Sequence, residues 1–160
     1  MTALVLDTNV LLRMAEPKHP LHQTSVEAVD VLLGPTHQLH IVPQILYEFW
    51  VVATRSTKAN GLQMTPTEAR RSIDGFLASM ILLPDNEAVF HRWFELSQRY
   101  AVKGTPNHDL RIVAAMSVHR VERLLTFNRR HFAKFREVEV VEPTEVLTWK
   151  DDDSSPGKPS

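Results

Sequence analysis

The stretch Leu4-Val5-Leu6-Asp7-Thr8-Asn9-Val10-Leu11-Leu12 decides the fold. Its first three residues close an apolar run that begins at Thr2, and such a run predicts a buried strand. An acid follows directly, and a helix is expected to start at Thr8. In open parallel sheets, functional side chains gather outside the carboxyl ends of the strands, which is where this acid would lie.

Four further apolar runs repeat the strand pattern. With Thr2–Leu6, the predicted strands are Leu39–Val42, Ile81–Leu83, Arg123–Thr126 and Val138–Val141. Helical patterns separate them, at His22–Leu33, Pro43–Lys58, Pro66–Met80, Asn86–Val102 and Asn107–His119, with Thr65 as the N-cap of the third. Strands that alternate with helices predict βαβ units and an α/β protein, with helices on both faces of a parallel sheet.

Six Phe and Trp residues lie in the predicted helices and are candidates for the core. They are Phe49, Trp50, Phe76, Phe90, Trp93 and Phe94. Some of them could instead form an interface between subunits, because large apolar side chains serve both purposes.

Length and composition fit one globular domain. The chain has 160 residues, of which 43% are hydrophobic and 23% charged. The absence of cysteine excludes a disulfide framework, a Cys-ligated zinc site and a cysteine nucleophile. No run approaches the length of a membrane span and the amino terminus has no basic leader, so we expect a cytoplasmic protein.

The carboxyl-terminal residues have a different composition. Residues 150–160 contain no apolar side chain that could be buried. We therefore predict a single domain over residues 1–147 and a polar, disordered tail over residues 148–160.

Three acids and one amide occupy unusual positions. Asp7 follows the first strand, and Asn128 lies just past the fourth. Glu48 is surrounded by apolar residues in the helix after the second strand. Asp109 precedes a mainly apolar run that we expect to be buried in the core. Because the carboxyl ends of parallel strands share one edge of the sheet, these four side chains are candidates for one site.

Carboxylates drawn together repel one another unless a cation offsets their charge. Hard oxygen donors of this kind suit Mg²⁺ or Mn²⁺. Each residue also has a structural interpretation: Asp7 and Asp109 could favour a helix N-terminus, Glu48 could lie at the surface, and Asn128 is a common turn residue.

With these positions, the chain resembles the PIN domain family, and within it the VapC-type toxin ribonucleases. The segments that carry the resemblance are Leu4–Leu12, Val42–Glu48, His108–Ala115 and Leu124–Phe132. The hydrophobic-Asp-Thr-Asn opening is the most specific, and the Leu-Thr-x-Asn-x-x-x-Phe segment is the next.

The resemblance implies a three-layer α/β/α sandwich with a central, mainly parallel sheet of about five strands. It also implies a metal-dependent endoribonuclease that hydrolyses RNA phosphodiester bonds, with Mg²⁺ or Mn²⁺ as the cofactor. Metal-site roles are carried to Asp7, Glu48 and Asp109. The fourth position, often Asp in the family, is Asn128 here and supplies no negative charge.

The resemblance also assigns supporting roles and partners. Thr8, Asn9 and Thr126 match polar positions that support the acids or a bound water. RNA is the implied substrate, whether tRNA, rRNA or mRNA. A cognate antitoxin protein and a second copy of the chain in a homodimer are the implied protein partners.

A basic segment precedes an acidic one. Residues 85–136 hold ten Lys or Arg against five Asp or Glu, whereas residues 137–153 hold one Lys against seven acids. The basic cluster is typical of a phosphate-binding surface, although a solvated face has the same composition. Arg129 and Arg130, beside Asn128, are candidates for phosphate contact, and Arg111 is a further one.

Other functions stay open on the sequence alone. The segment around Asp7 also resembles the haloacid dehalogenase phosphatases, but these require a second Asp two residues later, where this chain has Asn9. The chain's histidine pairs lack a companion at zinc-site spacing. A PIN-fold protein that binds RNA or a partner without cleaving is one alternative. An RNA-processing nuclease outside a toxin–antitoxin pair is another.

Overall fold

The computed structural model describes residues 1–152, which form alternating strands and helices. The elements are β1 (Thr2–Leu6), α1 (Thr8–Met14), α2 (His22–Leu32), β2 (His37–Ile41), α3 (Pro43–Thr54), α4 (Pro66–Ser79), β3 (Ile81–Leu82), α5 (Glu87–Arg99), α6 (Asn107–His119), β4 (Arg123–Leu125), α7 (Arg129–Phe132), β5 (Glu139–Val141) and α8 (Pro143–Asp152). A turn of 3₁₀ helix at Thr57–Ala59 follows α3.

The five strands form one parallel sheet in the order β3-β2-β1-β4-β5. The central strand is β1, where Leu4 pairs with Leu39 of β2 on one side and with Arg123 of β4 on the other. Leu4, Val5 and Leu6 are fully buried, as expected for a strand covered on both faces. The predicted α/β fold with a five-stranded parallel sheet is confirmed.

The path of the chain sorts the helices into two layers. From β1 to β3 the chain moves towards one edge of the sheet, and from β3 to β5 it moves towards the other. Right-handed crossovers then place the connecting helices on opposite faces. The packing agrees, because α1 contacts α2 and α3, α3 contacts α4, and α5 packs against α6. The three-layer α/β/α arrangement follows.

The prediction of an aromatic core is right for some residues and wrong for others. Phe49 and Phe76 are buried and meet edge to face, with ring centroids 5.2 Å apart. Trp50, Phe90 and Phe94 are exposed, Phe94 to 65%. On α5 the core-facing residues are Val89 and Leu96, two turns apart. Phe90 directly follows Val89 and is therefore turned away from that face by about 100°.

Two helix boundaries have clear local causes. The predicted N-cap of α4 is observed as a capping box: Glu68 N donates to Thr65 Oγ1, and Thr65 N donates to Glu68 Oε2. Helix α3 ends at Thr54, before the predicted Lys58. Beyond it the chain folds back, and the backbone amide of Met64 donates to the carbonyl of Ala53.

Helix α8 continues to Asp152, past residue 148, where the polar tail was predicted to start. Val146 is fully buried, and the Trp149 ring stacks on His37 at 5.7 Å, so apolar contacts extend the helix beyond residue 147. Residues 153–160, the remainder of the predicted tail, lie outside the described residues. Within residues 1–152, no helix is both long and apolar enough to cross a membrane.

The change of direction in the strand order occurs between β1 and β4, which are neighbours in the sheet. Leu6 pairs with Leu125, and the backbone amide of Asp7 donates to the Leu125 carbonyl at 2.9 Å. The two strands therefore end side by side. Such a switch point leaves a crevice outside the carboxyl ends of the strands, where ligands bind in open α/β sheets.

Candidate active site

Asp7 lies at this switch point and is held from several directions. It is 6% exposed and forms the N-cap of α1, where Oδ1 accepts a hydrogen bond of 2.7 Å from the backbone amide of Thr8. Oδ2 accepts from Thr126 Oγ1 at 2.7 Å and from Asn9 Nδ2 at 3.2 Å. The helix-capping interpretation is therefore correct, and it leaves Asp7 at the rim of the sheet.

Asn9 and Thr126 join β1 to the segment after β4. Asn9 Nδ2 also lies 3.1 Å from Thr126 Oγ1, and Asn9 Oδ1 accepts from the backbone amide of Phe127 at 3.2 Å. Thr126 Oγ1 accepts from the backbone amide of Asn128 at 3.0 Å. These contacts fix the turn after β4 against Asp7.

Glu48 reaches the same region from α3. Its Oε2 accepts from Thr8 Oγ1 at 2.7 Å, and its Oε1 accepts from Gln44 Nε2 at 2.8 Å. Gln44 lies four residues earlier on α3, so that both side chains project from one helix face. Glu48 is thus hydrogen-bonded directly to Thr8, the residue that follows Asp7.

Asp109 comes from the first turn of α6 and is half-buried. Its Oδ2 lies 3.4 Å from His131 Nδ1, which belongs to the short helix α7. The backbone carbonyl of the preceding residue, His108, accepts from Gln44 Nε2 at 2.8 Å. The α6 turn is therefore tied to α3 and to α7.

Burial and neighbouring negative charges raise the pKa of Asp7 and that of Asp109. Burial is the largest cause that raises the pKa of Asp7 to about 6 from its ordinary 3.8, and the negative charges of Glu48 and Asp109 add to it. The hydrogen bonds from Thr126 and Thr8 act in the opposite direction. Burial also raises the pKa of Asp109, which Glu48 raises further and His131 lowers.

The donor chemistry of these acids fits a hard divalent cation, which takes carboxylate oxygens as ligands. In the described residues, neither Asp7 nor Glu48 has a Lys or Arg side chain within 4.0 Å to neutralise it. Both oxygens of each carboxylate accept hydrogen bonds instead. Within that part of the chain, no three His, Asp or Glu side chains are already arranged to hold a metal ion.

Asn128 and the predicted basic residues lie at the rim of the site. Asn128 is exposed and precedes α7. Arg129 is paired with Glu145 at 2.9 Å and with Glu142 at 3.7 Å. Arg130 is exposed and forms no ion pair in the described residues, so it is the more available of the two cations.

Arg111 lies on another side of the site. Its Nη2 is 3.7 Å from Asp85 Oδ2, and its side chain lines a groove of about 340 Å³ beside Glu48.

The model of the PIN domain family matches residues 4–138. This chain belongs to the PIN domain family. No curated protein matches it in sequence.

Solved structures share the PIN fold with this chain. VapBC-1 from nontypeable Haemophilus influenzae has 18% identity and a TM-score of 0.66, covering 89% of this chain and 99% of that one. A toxin–antitoxin complex from Klebsiella pneumoniae has 24% identity and a TM-score of 0.61, covering 88% and 97%. VapC20 from Mycobacterium tuberculosis, a sarcin–ricin loop cleaving toxin, has 14% identity and a TM-score of 0.63, covering 84% and 98%.

Two side chains of this PIN domain site were not predicted from the sequence. Gln44 contacts Glu48, and its spacing of four residues on one helix was the available signal. His131 contacts Asp109. It lies in a segment that resembles the family, but the resemblance there depends on Thr126, Asn128 and Phe132 and not on His131. No pattern along the chain relates residue 131 to residue 109, because the fold alone brings them together.

Proposed function

We propose that this PIN domain is a metal-dependent endoribonuclease that hydrolyses RNA phosphodiester bonds, and that it is the toxin of a toxin–antitoxin pair. The observation that supports the proposal is the position of Glu48 and Asp109 near Asp7 at the switch point of the sheet, where their negative charges add to the effect of burial in raising the pKa of Asp7. The likeness of the fold to VapBC structures supports the biological setting.

Asp7, Glu48 and Asp109 would hold the cation, and we expect Mg²⁺ or Mn²⁺ because the donors are oxygens. A bound divalent ion supplies an activated water and offsets negative charge on the phosphate. The ion is also the expected cause of full ionisation of these acids, because a nearby positive charge favours the charged form of a carboxyl group.

The protein's own groups position the acids and contact the substrate. Thr8, Asn9 and Thr126 are neutral donors, so they orient Asp7 and Glu48 without removing the negative charge that a cation requires. Asn128 at the rim can donate its amide to a phosphate oxygen. Arg130, which is exposed next to it, would contact a further phosphate oxygen.

The test is RNA cleavage by purified protein with Mg²⁺, with Mn²⁺ and with EDTA, on a mixture of tRNA, rRNA fragments and single strands. We expect cleavage that requires the ion and is abolished in Asp7→Asn, because one ligand charge is lost at the centre of the site. Asp30→Asn makes the same change at an exposed position of α2 and serves as the matched control. Wild-type cleavage by Asp7→Asn would contradict the site assignment.

A cognate antitoxin and a homodimer are the proposed protein partners. Two grooves share His108 and Arg111: one of about 340 Å³ is lined by Tyr47 and Val51, and one of about 500 Å³ by Phe90 and Trp93. Exposed apolar side chains of this extent support a protein-covered surface. Light scattering of the protein alone, and co-purification with the product of a short adjacent gene, would test the two partners.

One observation favours a second candidate function, a PIN protein that binds RNA or a partner without cleaving it. Asn128 stands where the family often has Asp, so the site has three negative charges at most. RNA binding that weakens with salt, without any cleavage in Mg²⁺ or Mn²⁺, would favour this candidate. Cleavage by a protein whose gene has no antitoxin neighbour would instead favour an RNA-processing nuclease.

A further inference from the structure

Gln44 connects the elements that carry two of the three acids. It lies on α3, one turn before Glu48, and is 7% exposed. Its Nε2 donates to Glu48 Oε1 and to the backbone carbonyl of His108, each at 2.8 Å. Since His108 directly precedes Asp109 on α6, a single amide nitrogen spans the space between the two acidic residues.

The orientation of this amide is determined by its surroundings. A side-chain amide nitrogen has two hydrogens, and both have acceptors here. A flipped amide would turn its oxygen towards the Glu48 carboxylate and the His108 backbone carbonyl. Neither an ionised carboxylate nor a carbonyl can donate a hydrogen bond to it. The hydrogen-bond pattern therefore selects the orientation in which Gln44 Nε2 faces Glu48.

The other half of the amide is unsatisfied. Gln44 Oε1 is buried and accepts no hydrogen bond from the described residues. A buried acceptor without a donor destabilises a fold. Methionine would fill a similar volume without this penalty, so packing alone does not account for an amide at position 44.

The donors to Glu48 share one property, which is that they are neutral. Thr8 Oγ1 donates to Oε2, and Gln44 Nε2 donates to Oε1. An Arg or Lys at position 44 would also hold the carboxylate, but it would offset the charge on which a cation depends. Gln44 fixes the direction of the carboxylate and leaves its charge available.

We propose that Gln44 is a positioning residue for the divalent cation, setting Glu48 relative to the α6 turn that carries Asp109. The inference rests on the cation site of the proposed function and does not require that RNA be the substrate. Outer hydrogen-bond partners of metal ligands typically change metal affinity by about 10- to 100-fold when they are removed. We expect a loss in that range when the Gln44 amide is removed.

The experiment measures Mn²⁺ affinity without RNA, by electron paramagnetic resonance of free Mn²⁺, together with urea unfolding of the metal-free protein. The variants are Gln44→Met and Gln44→Leu, which remove the donor, and Gln44→Lys, which keeps a donor but adds a charge. Gln98→Met, at an exposed position of α5, is the matched control. Two apolar replacements are used so that poor packing of one does not decide the result.

The expected result is Mn²⁺ binding at least about tenfold weaker in Gln44→Met or Gln44→Leu, with an unfolding midpoint no lower than that of the wild type. Gln44→Lys should bind Mn²⁺ more weakly still, because its positive charge repels the cation. If the hydrogen bond were purely structural, the Lys donor would replace it and Mn²⁺ affinity would return towards that of the wild type. Folded apolar variants with wild-type Mn²⁺ affinity would overturn the inference.

The proposed function and this inference fail in different ways. Mn²⁺ binding that depends on Gln44, in a protein that cleaves no RNA, would remove the nuclease proposal and support the positioning role. A wild-type chain that binds no Mn²⁺ would overturn both.

Discussion

Thr126 Oγ1 donates a 2.7 Å hydrogen bond to Asp7 Oδ2 across 119 positions of sequence. Both side chains are buried, and the bond closes the space between the ends of β1 and β4. The hydroxyl lowers the pKa of Asp7, which burial raises, so it stabilises the charged form of an acid that has little contact with water. The relationship makes Thr126 part of both the fold and the candidate site.

Replacement of Thr126 by Val tests this bond. The variant leaves Asp7 Oδ2 with the Asn9 amide as its remaining donor, so we expect a loss of about 1–3 kcal/mol in the free energy of unfolding at pH 7. Urea denaturation measures the loss. Thr148→Val, which removes an exposed hydroxyl from α8, should change the free energy by less than about 0.5 kcal/mol. Equal effects of the two substitutions would contradict a special role of the buried bond.

The raised pKa of Asp7 predicts how stability depends on pH in the metal-free protein. Between its ordinary value of 3.8 and about 6, the folded protein binds a proton that the unfolded chain has lost. Folding is therefore favoured at the acidic end of this window, and the contribution of Asp7 is lost as pH rises through about 6. The difference in pKa corresponds to about 3 kcal/mol.

Asp7→Asn isolates this contribution, because Asn stays neutral at every pH. With EDTA present, the free energy of unfolding of the variant relative to the wild type should rise by up to about 3 kcal/mol between pH 4 and pH 8. Urea titrations at five or six pH values would measure it. Parallel pH curves for the two proteins would show that Asp7 is ionised equally in the folded and unfolded states.

Arg129 and Arg130 should differ in their effects on RNA binding. Arg129 is paired with Glu142 and Glu145, whereas Arg130 has no ion pair in the described residues. We expect Arg130→Ala to weaken binding of single-stranded RNA and to reduce the slope of log K against log salt by about 0.7, the value for one phosphate contact. Binding measured at several salt concentrations tests this. An equal or larger change in Arg129→Ala would reverse the assignment.

The capping box of α4 gives a prediction about stability alone. Thr65→Ala removes the hydroxyl that accepts from the Glu68 amide, and N-cap replacements of this kind cost about 1 kcal/mol. Thermal or urea unfolding measures the effect. Thr67→Ala, two residues later and also exposed, is the control and should be close to neutral.

The strands were predictable because their apolar runs are short and are bounded by polar residues or proline. Pro43 and Pro143 follow β2 and β5 closely and begin the next helices. A single proline therefore indicates both where the strand ends and where the helix begins. The order of the strands was not predicted. Each strand presents similar apolar residues, and nothing in their composition states which neighbour it pairs with.

The site was predictable only in part. Asp7 and Glu48 stand out because acids are rare among apolar neighbours. Gln44 does not stand out, since its second hydrogen bond is made to a carbonyl 64 positions away. The exposure of Phe90 and Phe94 was missed for a related reason: an aromatic residue on a helix can face either side, and the partner that would cover it is encoded elsewhere.

The central position of β1 also bears on the protein's synthesis. Strand β1 is synthesised before both of its neighbours and can pair with β2 early, but its other neighbour, β4, is made only at residues 123–125. A nascent chain therefore carries Asp7 and Glu48 long before Thr126 exists to hold the first of them. The crevice takes shape only when that late segment has emerged, so unfinished chains carry the acids of the site without its geometry.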